Sequence, residues 1–249
     1  MMRRLFSPKW VLIHTGVIGL VVLMANLGLW QLNRLDEKKV FNTVVSTRTT
    51  EPIDSLAFVL TPQTQPADVE WRRVSVTGTY VVTSAITIIN RSQNGSAGFN
   101  SALAFQTVDG KLLLVNRGFI PLAMKNPAPP QGQLTVVGYL HRTQLRSGIA
   151  PADLSGADVR EFQRFDINRI SMNWQGPVYS MYLQLLKESP SPNSLWPASV
   201  ALPTLDEGSH LAYAFQWFFF SLVALTAWVV VIRRRLATTT TADQVQTSA

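Results

Sequence analysis

Two stretches without a charged residue dominate the hydropathy pattern. Trp10–Trp30 runs for 21 residues and Leu211–Ile232 for 22 without Asp, Glu, Lys or Arg. At about 1.5 Å of rise per residue each reaches roughly 30 Å, the thickness of a bilayer's hydrocarbon core, so each predicts a transmembrane helix. The first is longer than the apolar core of a signal peptide. Its end, Ala25-Asn26-Leu27-Gly28-Leu29-Trp30, offers no small-x-small cleavage site, so an uncleaved anchor is expected. Trp10, Trp30 and Trp228 fit interfacial positions, whereas Trp217 falls inside the second span. The helical pattern continues past the first span: Gln31–Phe41 has no Gly or Pro, and Leu32, Leu35 and Lys39 share a face.

After a proline-bearing connection, residues 51–68, the period changes from helix to strand. Val74, Val76 and Tyr80 alternate within Arg73–Tyr80, and Ala85–Asn90 is rich in β-branched residues. Phe99–Thr107 and Lys111–Ile120 flank Asp109-Gly110, a strong hairpin signal. Leu134–Leu140, Val159–Asp166 and Val178–Leu186 complete six or seven strands. Gly78, Gly118 and Gly138 inside strand patterns point to bulges or sharp corners. A closed or half-closed antiparallel barrel is the economical arrangement, because it removes exposed edges. Pro190, Pro192, Pro197 and Pro203 then predict an extended return towards the second span. The expected fold class is membrane α+β: two transmembrane helices in an antiparallel hairpin flanking an extracytoplasmic antiparallel β-barrel-like domain. The expected boundaries are a basic N-terminus (1–9), the first helix (10–30), the β-rich domain (31–210), the second helix (211–232) and a tail (233–249). The Thr-rich tail beyond Leu236 reads as disordered.

Charge supplies the orientation. Of the formal +7, the first nine residues carry +3 (Arg3, Arg4, Lys9) and the last seventeen +2 (Arg233, Arg234, Arg235, with Asp243). Short basic flanks stay on the cytoplasmic side, so both termini are expected there, in the cytoplasmic membrane, with the β-domain exported. A nucleic-acid surface is excluded, since the basic residues are not gathered on the folded domain. Charged residues make up 15% of the chain and hydrophobic ones 47%, in keeping with a membrane protein that contacts lipid. With no cysteine, disulfides, thiolate-held metals and thiol catalysis drop out.

The search for catalytic chemistry is negative. No P-loop, GxGxxG, HExxH or GxSxG pattern occurs, and His14, His141 and His210 are the whole supply of imidazole. Asp153, Asp158, Glu161 and Asp166 read as solvated charges. An enzyme is not expected, and neither is a metal site. The residues that remain cluster where the two spans meet the outer surface. Trp30, Gln31 and Arg34 end the first helix, and Asp206 and Glu207 precede the second. His210, Tyr213 and Trp217, at i, i+3 and i+7, lie on one face of the second helix. An aromatic belt with a polar helix start explains much of this; an imidazole, a phenol and an indole in one stripe beside Gln31 and Arg34 also fit a binding site.

These pieces resemble the Surfeit locus protein one family of cytochrome c oxidase assembly factors. The resemblance rests on Leu27-Gly28-x-Trp30-Gln31-x-x-Arg34, Val76-x-Gly78-x-Tyr80, Val115-Asn116-Arg117-Gly118-Phe119-Ile120-Pro121, Val137-Gly138-x-Leu140 and His210-Leu211-x-Tyr213-Ala214-x-x-Trp217-Phe218, in order along the chain. Ser209, Gln216 and Asp36-Glu37-Lys38 depart from the family pattern, and the Ser147–Asp158 loop is individual.

The resemblance implies a non-enzymatic chaperone for a haem-copper oxidase. Haem a is its cofactor or cargo, His210 the candidate ligand, and Tyr213, Trp217, Trp30, Gln31 and Arg34 the surroundings. Sixteen residues, about 24 Å of helix, separate His14 from Trp30, so His14 and His210 cannot both ligate one haem. A packing or interface role for the same stripe stands beside the haem reading. Three functions remain open. One is an assembly factor that binds oxidase subunits. The second is a stoichiometric accessory subunit of the oxidase or of a respiratory supercomplex, and the third an anchored β-domain with an unrelated ligand.

Overall fold

The computed structural model describes residues 7–148, 159–192 and 194–247. Arg3, Arg4, Asp153 and Asp158 lie outside the described residues. The chain divides into two compact units, Met1–Thr43 with Leu205–Ala249, and Val44–Thr204.

The first unit is built on two helices, α1 (Pro8–Thr50) and α5 (His210–Thr247). Both are long and apolar enough to cross a membrane. α1 runs well beyond the charge-free stretch, because nothing between Gln31 and Thr50 breaks a helix. α5 likewise continues in helical backbone to Thr247, where the composition alone suggests a disordered tail. Propagating an existing helix through Thr, Ala and Gln costs far less than starting one, and no Gly or Pro intervenes.

Contacts at successive levels make the two helices an antiparallel pair. His14 and Trp228 meet edge to face with ring centroids 4.8 Å apart. Further along, the Ser221 hydroxyl donates to the Val21 carbonyl at 3.4 Å. At the next level Gly28 is buried against Phe218: a Cβ there would lie 2.6 Å from the ring, so glycine permits the approach. The Asn42 amide then donates to the Asp206 carbonyl at 3.2 Å.

The second unit begins with β1 (Asp54–Ser55) and the short helices α2 (Leu56–Val59) and α3 (Pro66–Val69). A sheet follows, built from β2 (Arg73–Gln93), β3 (Ser96–Thr107), β4 (Leu112–Pro121), β5 (Leu134–Arg142), β6 (Glu161–Phe162) and β7 (Val178–Ser189), with the helical turn α4 (Ile167–Ile170) before β7. The strand order is β1-β2-β3-β4-β7-β5, β6 lies beside β2, and β5 also pairs with the start of β2. The antiparallel barrel-like domain expected from the sequence is corrected to a mixed sheet. β4–β7, β1–β2 and β2–β6 are all parallel. The path β2-β3-β4-β7-β5 has an odd number of strands and comes back to β2, so direction cannot alternate at every step. β4–β7 is where the alternation breaks, and the β5–α4 segment supplies the long crossover that a parallel pair needs.

The expected hairpin is present: Gln106 faces Leu112 across a turn with Gly110 at φ +80°. β2 is one long strand where two were expected, its interruption being a bulge between Val81 and Ile86. The expected strand over Val159–Asp166 shrinks to β6, because the Asp166 carboxylate accepts from the Arg169 N–H at 3.3 Å and starts α4 instead. β4 is buried from Leu112 to Ile120, as a central strand covered on both faces must be. Its apolar side chains divide between a core around Phe105, Leu113 and Leu183 and a second around Ile88, Leu114 and Phe162. After β7 the proline-rich return touches the sheet at Phe119–Ala198.

Candidate functional site

Among the residues that end the first span and begin the second, the structure brings His210 and Gln31 together. Gln31 Oε1 lies 2.8 Å from His210 Nδ1. A carbonyl oxygen can only accept, so Nδ1 donates. In the neutral ring Nε2 is then the nitrogen that keeps its lone pair, which is how a ligating histidine is commonly oriented by a partner behind it. His210 is half-buried at the first position of α5. One turn further along α5 Ala214 is buried, as is Leu35 on α1. Lys39 approaches Glu207 at 4.0 Å just before the helix start.

The other expected site residues are less tightly held. Trp30 and Tyr213 expose about half of their surfaces, 57% and 49%. Trp217 is half-buried and meets Phe220 edge to face, with centroids 6.3 Å apart. Arg34 is not drawn to His210: its guanidinium pairs with Glu37 on the next turn of α1 at 2.7 Å. His14 lies at the opposite end of the helix pair, against Trp10 and Trp228. Among the described residues, no group of three or more His, Asp or Glu gathers to hold a metal ion.

A second polar cluster lies inside the sheet unit, and sequence reasoning quotes two of its members only as parts of motifs. Arg117 and Glu188 form an ion pair at 3.5 Å with side chains 2% and 4% exposed. The Tyr80 hydroxyl donates to the other Glu188 oxygen at 2.8 Å, and the Arg117 guanidinium lies over the Tyr80 ring at 5.6 Å. Arg117 also donates to the Pro127 carbonyl at 3.0 Å. Burial, then the Glu188 charge, raises the Tyr80 phenol far above its ordinary range, so it stays a donor.

A bulge aims Arg117 inward. Ser101 faces Gly118 and Ala102 faces Asn116, leaving Arg117 as the extra residue of β4. The next residue must be glycine, since Gly118 has φ +133° and a Cβ would strike the Ala198 carbonyl. The motifs around Tyr80 and Arg117 therefore meet in one buried network, completed by a glutamate that no motif contains.

His141, on β5, is buried, with 6% of its surface exposed. Its ring stacks on Tyr182 at 5.2 Å and meets Trp71 edge-on at 4.4 Å. Burial holds its pKa down at about 4.

The model of the SURF1 family matches residues 18–222. An uncharacterized SURF1-like protein of Mycobacterium bovis is 27% identical over 228 residues, covering 88% of this chain and 82% of the relative. A SURF1-like protein of Rickettsia felis is 23% identical over 229 residues, covering 88% and 97%. One from Rickettsia bellii is 27% identical, covering 88% of each. Since the family match starts inside α1 and ends inside α5, taking in His210, Gln31 and the buried Arg117 network on the way, the chain belongs to the SURF1 family.

Proposed function

We propose that the protein is a non-enzymatic assembly factor for a haem-copper cytochrome c oxidase. In this reading α1 and α5 hold it in the cytoplasmic membrane, both termini face the cytoplasm, and the sheet unit lies on the outer side. Family membership over most of the chain carries the proposal. The basic flanks support the orientation.

Haem a is the cargo of this reading, and His210 the residue that holds it. The His210–Gln31 hydrogen bond supports the assignment, since it leaves Nε2 as the acceptor nitrogen. Trp30 and Tyr213 each present an open aromatic surface of the kind a planar macrocycle stacks on. With His14 beside Trp228 at the other end of the helices, coordination from this chain is by one histidine, and oxidase subunits supply what it lacks.

The test is a deletion strain combined with a gentle detergent pull-down. Deletion should lower assembled oxidase activity and haem a content. The protein should co-purify with oxidase subunits below stoichiometry, with a haem absorbance band that His210→Ala removes. Equal stoichiometry with the mature oxidase or supercomplex would favour a lasting accessory subunit. Unchanged oxidase in the deletion strain would end the proposal.

A further inference from the structure

The face of α1 turned away from α5 carries a pattern that the helix pair leaves unexplained. Thr15, Gly19, Val22, Asn26, Leu29 and Asn33 follow one another in steps of four and three, the spacing of a coiled-coil seam, and all six are exposed. Val21, Gly28, Gln31 and Asn42, which meet α5, lie about 140–160° round the helix from Asn26. The seam and the helix pair therefore use opposite sides of α1, and the His210–Gln31 contact is clear of the seam.

Two residues of this face do not suit lipid. Asn26 lies four residues, about 6 Å, inside Trp30 at the end of the span. Its Nδ2 donates back to the Val22 carbonyl at 2.8 Å, while its Oδ1 accepts nothing from the described residues. An amide oxygen left so in hydrocarbon costs free energy that a hydrogen bond from a neighbouring helix recovers. Gly19 is the other: a Cβ there would meet nothing within 4 Å, unlike Gly28 against Phe218. A mid-helix glycine weakens the helix, and in a span its use is to let another backbone close in. α5 offers no such place, because its exposed amide, Gln216, stands among the exposed rings of Tyr213, Phe219 and Phe220.

The amide also selects the occupant. It both donates and accepts, so two asparagines at one depth satisfy each other. A second copy inserted in the same orientation brings its own Asn26 to that depth, and its Asn33 one heptad further on. Asparagine at such a seam position is what fixes the register of two-stranded parallel pairs. The next seam position, Asp36, would face its own copy as a like charge, so the pairing ends at Asn33. We propose that two copies of the chain pair through this face of α1, parallel and two-fold symmetric, with their Asn26 amides exchanging hydrogen bonds. The pairing rests on the membrane-spanning reading of α1 and not on the oxidase role.

The chain has no cysteine, so single cysteines report neighbours directly. Val22→Cys and Leu29→Cys in the seam, Leu20→Cys on another exposed side of α1 and Leu222→Cys on α5 are each made in the full chain and oxidised with copper phenanthroline in native membranes. The two seam cysteines should give a disulfide-linked dimer at least about fivefold faster than the other two. On the Leu29→Cys background, Asn26→Leu should lower the dimer yield about three- to thirtyfold, the loss of one interhelical hydrogen bond, and Asn26→Gln should retain most of it. Equal rates at all four positions, or fastest linkage at Leu222→Cys, would overturn the pairing, as would a dimer yield that Asn26→Leu leaves unchanged. The four rates compare exposed sites in otherwise unaltered chains, so they decide the matter even if Asn26→Leu does not fold. Alkaline washing of the same membranes separates the two ways of failing. Chains that wash off refute the spanning reading and the pairing with it; chains that stay but link evenly refute the pairing alone.

Discussion

Removing one partner of the buried Arg117–Glu188 pair should cost far more than removing the whole network. At 3.5 Å and an effective dielectric constant near 20, the attraction between the two charges is about 5 kcal/mol. Burying each ion costs several kcal/mol, so the pair as a whole contributes little net stability. Arg117→Met leaves Glu188 buried with only the Tyr80 hydroxyl for support, and Glu188→Leu strands Arg117, whose Nε already lacks a hydrogen-bond partner. Each single change should lower stability by roughly 3–5 kcal/mol, which in a unit of this size moves Tm down by roughly 6–20 °C.

The triple change Arg117→Met, Glu188→Leu, Tyr80→Phe should recover most of that loss, because no buried polar group is then left alone. Tyr80→Phe belongs in the set, since a phenol deprived of Glu188 would itself cost about 1–3 kcal/mol. Thermal unfolding of the purified chain, followed by near-ultraviolet circular dichroism, provides the numbers for a mutant cycle. Single variants within about 1 kcal/mol of the parent, with a triple no better than the worst single, would refute the reasoning. The charges would then be reaching water or relaxing independently.

Three further outcomes are expected. Gly28→Leu should force α1 and α5 apart at Phe218. In this cysteine-free chain, disulfide formation between Val21→Cys and Ser221→Cys should slow markedly on that background, and an unchanged rate would contradict the close approach. His141, with its folded pKa at about 4 against an ordinary 6.5, binds fewer protons folded than unfolded between those values. Its contribution is therefore complete above pH 6.5 and is lost as pH falls to 4; the Tm difference between the protein and His141→Phe should change over that window, and parallel profiles would count against burial. Gln31→Leu removes the acceptor that fixes His210 as the Nδ1–H tautomer. Nitrogen-15 NMR of labelled histidine should show His210 moving to a tautomer mixture even without haem, and an unaltered spectrum would deny Gln31 its orienting role.

Much of the fold is legible because its signals are local. A helix that must satisfy its own backbone in lipid needs an uninterrupted apolar run, and residues 10–30 and 211–232 are such runs. The hairpin at Asp109-Gly110 is likewise written in two residues. What escapes sequence reasoning is settled between distant parts of the chain. Nothing in Leu112–Pro121 or Val178–Ser189 specifies that these strands run parallel; that follows from how many strands intervene before the sheet comes back to β2. The expected strand over Val159–Asp166 fails for a local reason. Asp166 is a good helix cap, and capping α4 competes with extending β6.

The same distinction governs the two polar sites. Periodicity places His210, Tyr213 and Trp217 on one face but cannot rank them. The ranking comes from Gln31, 179 residues away, which engages His210 alone. Arg34 looks equivalent to Gln31 in sequence, yet Glu37 is three residues along the same helix and claims it. The buried network is harder to foresee. Tyr80 and Arg117 belong to strand motifs that read as backbone geometry, a glycine corner each, and the side chains between the glycines carry no pattern of their own. Glu188 is 108 residues from Tyr80 and 71 from Arg117, two residues beyond the Val178–Leu186 run that reads as a strand in the sequence. Only the bulge at Arg117, which turns an arginine inward, makes that carboxylate necessary. A buried arginine in β4 requires a counter-charge from a neighbouring strand, and β7, the parallel neighbour that sequence reasoning does not assign, is the strand that provides it.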